Sequence, residues 1–148
     1  MAKGITISLC HRAGDDPGAT LYPALVATHQ FAAVRKLDAA MTSRLAIIVE
    51  EVATNVIDHA APDRDVTLTL HLGHGSDGLP DGLVITLEDD SAAFDPRTVE
   101  PHALPNPDRG GGVGLALVKA WSDIVAYDSA GGINRLVLRL HPRPASPA

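Results

Sequence analysis

The apolar positions change period several times along the chain, and each change marks an element. In "GITISLCH" Ile5, Ile7 and Leu9 alternate with Thr6, Ser8 and Cys10, the two-residue period of a strand buried on one face. "RAGDDPGA" is a turn-rich connection, and the Ala-rich, weakly periodic segment from about Thr20 to Leu37 predicts a first helix. A second helix is predicted in "TSRLAIIVEEVATNVIDHA", with Thr42 or Ser43 as its cap and Pro62 as its stop. "DVTLTLHL" and "GLVITLED" alternate again, and "GHGSDGLPDG" between them predicts a hairpin with a long loop. From Asp90 to Gly112 periodicity lapses into Asp, Pro and Gly, and a connection of that length inside a compact domain usually carries function or moves. "VGLALVKAWSD" returns to helical spacing, "IVAYD" predicts a strand, "SAGG" a turn and "INRLVLRL" the closing strand. The mixture of helices and antiparallel hairpins predicts an α+β two-layer sandwich, a single domain over residues 1–141, with the Pro-rich residues 142–148 as a disordered tail.

Composition narrows the function classes. The chain has 148 residues, 45% hydrophobic and 20% charged, enough for one core and too apolar for disorder. Aromatics are only 3%, so the core must come from Val, Leu, Ile and Ala. A net charge of −6 with no basic stripe argues against nucleic-acid binding. The lone Cys10 rules out an intramolecular disulfide. The N-terminus lacks a long apolar leader and no stretch is long enough to span a bilayer, so the expectation is a cytoplasmic protein with no membrane association.

One helix breaks its own pattern. At about 100° per residue, Leu45, Ile48, Val49, Val52 and Val56 of "IVEEVATNVIDHA" and its preceding turn share a face, flanked by Ala53 and Ala60. Glu51, Asn55 and His59 form a row drifting roughly 40° per step towards that face, which brings Asn55 to its edge and His59 inside it. Glu50 lies far around the cylinder with Thr54 and Asp58. Such a row reads either as a helix boundary with i,i+4 polar pairs or as a site. In the second case an amide oxygen can ligate Mg²⁺ and a carboxylate can deprotonate a nucleophile.

Two further segments bear on that choice. In "LVITLEDDSAAFDP" Leu83, Ile85 and Leu87 share one parity and Asp89 continues it, while Glu88 and Asp90 point the other way. If the Leu face is buried, Asp89 is a carboxylate turned inward at a strand end. It then needs a donor, and a ligand amino group could be one, while an ordinary acidic turn is the simpler reading of "DDS". In "DRGGGVGLALVKA" glycines run into a helix start, where exposed backbone N–H groups suit phosphate and where a hinge is the simpler reading. No Gly-Lys-Ser/Thr follows, which excludes a P-loop, and the position late in the chain suits a dinucleotide fingerprint poorly.

In this order, "IIVEEVATNVIDHA", "LEDDSAAFDP" and "RGGGVGLALV" resemble the N, G1 and G2 boxes of the GHKL ATPase superfamily. More narrowly, the chain resembles the bacterial anti-sigma-factor serine/threonine kinases over roughly Thr20 to Leu140. The resemblance implies a mixed, mostly antiparallel sheet covered on one face by helices, with ATP and Mg²⁺ as cofactors. It implies Glu51 as general base, Asn55 as Mg²⁺ ligand and Asp89 as reader of the adenine amino group. Gly110, Gly112 and Gly114 would lie under the phosphates and Arg109 at the end of a mobile lid. Ser91, Phe94, Gly111, Val113 and Leu115 complete the nucleotide boxes. The implied partners are a STAS-type anti-anti-sigma protein, phosphorylated on serine or threonine, a sigma factor, and a second copy of the chain. The first acidic box departs from the family's Asp-x-Gly: it reads Asp89-Asp90-Ser91, with Ala93 at a position that is commonly Gly or Pro.

Three other readings stay open on sequence. Ser91 favours a binding module that has kept the fold without efficient phosphotransfer. A stand-alone catalytic domain could serve a separate histidine-phosphotransfer protein. His71 and His74 could begin a metal site, though two histidines make an incomplete one.

Overall fold

The computed structural model describes residues 4–59, 64–74, 82–93, 95–98 and 113–141. Its elements are β1 (Ile5–His11), α1 (Pro17–Val34), α2 (Ala39–His59), β2 (Val66–His74), β3 (Leu83–Asp89), a 3₁₀ turn (Pro96–Thr98), α3 (Val113–Trp121), β4 (Ser122–Ala130) and β5 (Ile133–Leu140). The strands form one sheet in the order β1-β2-β3-β5-β4. All four pairings are antiparallel, so the mixed, mostly antiparallel sheet expected from the resemblance is antiparallel throughout the described strands. The expected two-layer α/β sandwich is present.

Register explains the core. Leu9 lies opposite Leu68, Leu70 opposite Leu87, Leu72 opposite Ile85, and Leu87 and Ile85 opposite Leu136 and Leu138. These inward positions form a Leu/Ile layer that meets Leu45, Ile48, Val49, Val52, Ala53 and Ile57 of α2 and Leu21, Ala24 and Phe31 of α1. The opposite face carries Thr6, Ser8, Thr69 and His71, with hydrogen bonds between Thr6 and His71 (2.7 Å) and between Ser8 and Thr69 (3.2 Å). Alternation on the strands therefore decides which side the helices cover.

Local chemistry sets the boundaries, and here the structure moves several expected ones. α1 starts at Pro17 rather than near Thr20 because Asp16 caps it, its carboxylate accepting from Ala19 N–H at 3.1 Å. It stops where Lys36 takes a left-handed conformation (φ 56°), with Leu37 N–H bonded to Ala32 O and Lys36 N–H to Ala33 O. α2 is capped by Asp38, whose carboxylate accepts from Met41 N–H at 2.8 Å, and not by Thr42 or Ser43. Thr42 lies inside the helix, its hydroxyl donating to Asp38 O. The predicted "SAGG" turn contracts to Gly131-Gly132, both at positive φ (62° and 80°), so Ser129 and Ala130 extend β4. Two consecutive positive φ values suit the two-residue hairpin that joins β4 to β5. β4 also begins directly at Ser122, earlier than "IVAYD" suggested. Ala60, Pro62, most of the β2–β3 loop and the tail 142–148 lie outside the described residues.

Candidate functional site

α2 brings its polar row to the end of the sheet where β3 runs out. Glu51 and Asn55 are half-buried, whereas Glu50 is exposed, as the helical projection required. The row does not continue inward: His59 is exposed, and the apolar position at that end of the helix is the buried Ile57, with Val56 only half-buried. The projection assumed an ideal helix against a cover of even depth. At its C-terminal turn α2 instead presents the 57 side to the core.

Glu51 lies against the start of α3. A Cβ built on Gly114 would overlap its Oε2 and Cδ and come within 2.8 Å of its Cγ, so only glycine there leaves room for the carboxylate. Burial raises the Glu51 pKa above its ordinary 4.5, and the charges of Glu50 and Asp58 raise it further. A carboxylate with raised proton affinity and partial access to solvent is chemically suited to accept a proton from a hydroxyl.

Asp89 is 7% exposed, so the parity of β3 does turn it inward. The sequence left its donor open, and the protein supplies several. Ser91 donates to Oδ1 from its N–H (2.9 Å) and its hydroxyl (2.5 Å), and Asn134 Nδ2 donates to the same oxygen (2.8 Å). Asp89 and Asn55 line one cavity of about 30 Å³, with Val52, Val56, Leu87, Leu136, Tyr127 and Pro96 as its apolar remainder. That volume holds roughly one or two waters. Ser91 is not among the lining residues; its side chain turns back onto Asp89.

The cavity joins α2, β3, β4, β5 and the 3₁₀ turn; the sequence reading held Pro96 only as the end of the "LEDDSAAFDP" box and missed Tyr127 and Leu136, together with Asn134 beside Asp89. Asn134 was legible in principle, because it shares parity with Leu136, Leu138 and Leu140 and so breaks an inward row, as Asp89 does on β3. Tyr127 carried no comparable signal; only the folded arrangement brings it here.

Of the other expected site residues, Gly114 and Leu115 are buried in the first turn of α3. Phe94, Arg109, Gly110, Gly111 and Gly112 lie outside the described residues, as does the Val113 side chain. Of the two histidines, the His74 side chain lies outside the described residues. His71 is exposed and bonded to Thr6, and no group of three potential ligands occurs among the described residues.

The model of the histidine kinase-like ATPase domain matches residues 16–140. The chain belongs to the histidine kinase-like ATPase domain family. Two solved structures share this ATPase fold. One is the histidine kinase domain from Erythrobacter litoralis EL346 blue-light activated histidine kinase, at TM-score 0.50 and 20% identity over 88% of this chain and 64% of that one. The chain thus spans about two thirds of that structure's length. The other is the SiaB–SiaC complex from Pseudomonas aeruginosa, at TM-score 0.50 and 12% identity over 89% of this chain and 88% of the matched one. No curated protein matches the sequence significantly. Asn55 and Asp89 meet at one cavity, and Glu51 lies one helical turn from Asn55 on α2. Asn55 offers a neutral oxygen to a hard cation, Asp89 an acceptor at the end of an apolar slot, and Gly114 a side-chain-free approach.

Proposed function

We propose that this ATPase-family chain is an ATP-dependent serine/threonine protein kinase and anti-sigma regulator, which phosphorylates a STAS-type anti-anti-sigma protein and separately binds a sigma factor. The observation that carries the reading is the half-buried Glu51, with its raised pKa, one helical turn from an asparagine that shares a cavity with an inward aspartate. When bound, Mg²⁺-ATP supplies the phosphoryl group and the counter-charge. Asn55 would hold the cation, Asp89 would accept from the base, and Glu51 would take the proton of the acceptor hydroxyl. Arg109, Gly110, Gly111, Gly112, Val113, Gly114 and Leu115 would surround the phosphates, and Phe94 and Ser91 would flank the base. Residues 1–141 form one domain in this reading, which works in the cytoplasm. No helix among the described residues is long and apolar enough to cross a membrane.

The partner class rests on the family resemblance, and the two-protein complex among the structural neighbours is in keeping with it. Phosphorylation adds a charge of roughly −1.5 to −2 to the antagonist. Against a chain of net charge −6 this favours release, leaving the kinase free for the sigma factor. A second reading, a binding module without efficient transfer, is favoured by the small size of the cavity, about 30 Å³.

Calorimetric titration with Mg²⁺-ATP and Mg²⁺-GTP, followed by incubation with candidate antagonists and labelled ATP, separates these readings. The expected result is ATP binding that exceeds GTP binding and label on serine or threonine. Equal affinity for the two nucleotides would remove Asp89 from base recognition. Binding without label transfer would establish the module, and label on histidine would establish a histidine kinase.

A further inference from the structure

Asn134 is a buried polar side chain, 3% exposed, on the strand that pairs with β3 at Asp89. Every polar atom of its amide is used. Nδ2 donates to Asp89 Oδ1 and to Ser91 O, both at 2.8 Å, and Oδ1 accepts from the Ser129 hydroxyl at 2.7 Å. The reversed amide would set a carbonyl oxygen against both acceptors, so the network admits one orientation. The Ser91 N–H and hydroxyl close on Asp89 Oδ1 from the other side. Three donors therefore saturate Oδ1, and among the described residues Oδ2 accepts no hydrogen bond.

We propose that Asn134 and Ser91 are positioning residues that set base selection: by occupying Asp89 Oδ1 they fix the carboxylate so that Oδ2 is its one open acceptor on the cavity, shaped to take a single exocyclic amino group. The inference rests on the nucleotide reading and adds to it what Asn134 and Ser91 do to Asp89. It also gives a use to the serine that replaces the family's glycine. Ser91 contributes two of the three donors, one of them through a hydroxyl that glycine lacks. Without the clamp the carboxylate can rotate, and either oxygen can satisfy itself within the protein or with water. The amino group of a bound base then contributes less. A cavity with a fixed, unpaired acceptor discriminates strongly against an analogue that lacks the matching donor, whereas a cavity with a mobile acceptor does not.

The test measures, by calorimetry with Mg²⁺ on the whole chain, the affinities of ATP and of purine riboside triphosphate, which differs only in lacking the 6-amino group. The wild type is expected to prefer ATP by about tenfold or more. Asn134→Ala should pull that ratio towards one, chiefly by weakening ATP. Ser91→Ala, at a half-exposed position where the fold is safe, should do the same to a smaller degree. Variants that lose both nucleotides by the same factor, or keep the wild-type ratio, overturn the positioning role and leave the ATP site standing. A wild type that binds neither nucleotide overturns the site reading and this inference together.

Discussion

At the scale of single residues, neighbouring glutamates have different environments. Glu51 is half-buried against Gly114 and Glu50 is exposed. Glu51→Ala should lower phosphotransfer by about 10²–10⁴-fold while ATP binding persists, and Glu50→Ala should leave transfer nearly unchanged. A single-turnover assay of both variants decides it: a larger loss from Glu50→Ala would overturn the assignment of the base. The pH profile carries the same signature. A base must be unprotonated, so the transfer rate should rise with pH along a limb displaced above 4.5, the direction in which burial, Glu50 and Asp58 move Glu51. Stability runs the other way. A carboxyl group whose pKa is raised on folding binds its proton more tightly in the folded state, so its contribution is greatest at low pH. It declines as pH rises from 4.5 through the raised value. Glu51→Gln should abolish the rate limb and flatten that part of the stability profile. Gly114→Ala tests the seat of this carboxylate. The flexible Glu51 can swing aside, so thermal melting should stay close to wild type while transfer falls towards the Glu51→Ala level. Full transfer in Gly114→Ala would show that the contact is dispensable.

At the scale of elements, the 3₁₀ turn at Pro96–Thr98 supplies part of the cavity wall. Pro96 is buried and lines it opposite Val52, Val56 and Tyr127, and Asp95 is tied to Arg97 by a 2.7 Å ion pair. A space of about 30 Å³ cannot admit a purine ring, so nucleotide binding must displace this turn or its neighbours. Hydrogen exchange over residues 95–111 should therefore change on adding Mg²⁺-ATP, with protection gained towards residue 111. Exchange unaffected by nucleotide throughout that span would refute a nucleotide-coupled lid.

At the scale of the whole molecule, one flank is poorly suited to water. α1 has no Asp, Glu, Lys or Arg in its 18 residues, and it exposes Tyr22, Val26 and Val34. β1 beside it is an edge strand of the sheet. Uncharged helix faces and open strand edges are the surfaces on which chains associate, which accords with the homodimer the resemblance implies. Sedimentation should give twice 15.5 kDa, reduced by Tyr22→Glu with Val26→Lys. A monomeric wild type at working concentrations would remove the dimer from the proposal.

Much of this was fixed by pattern alone. The alternation in β2, β3 and β5 and the apolar face of α2 determined the sandwich, because burying one face of each element leaves few other packings. Asp89 turned inward by strand parity, and Glu51 was separated from Glu50 by helical geometry; both were legible for the same reason. Periodicity failed at the ends of elements. There single side chains such as Asp16 and Asp38 compete for unpaired N–H groups, and His59 leaves the core because the last turn of α2 presents its Ile57 side inward instead. What lies between elements was beyond the sequence. Asn134 reaches Asp89 only because β5 inserts between β3 and β4. Tyr127 and Pro96 meet Asn55 only once the sheet is assembled. Local pattern determines which side of an element is buried; the order of the strands decides which buried polar groups meet, and here that order closes the hydrogen bonds around Asp89.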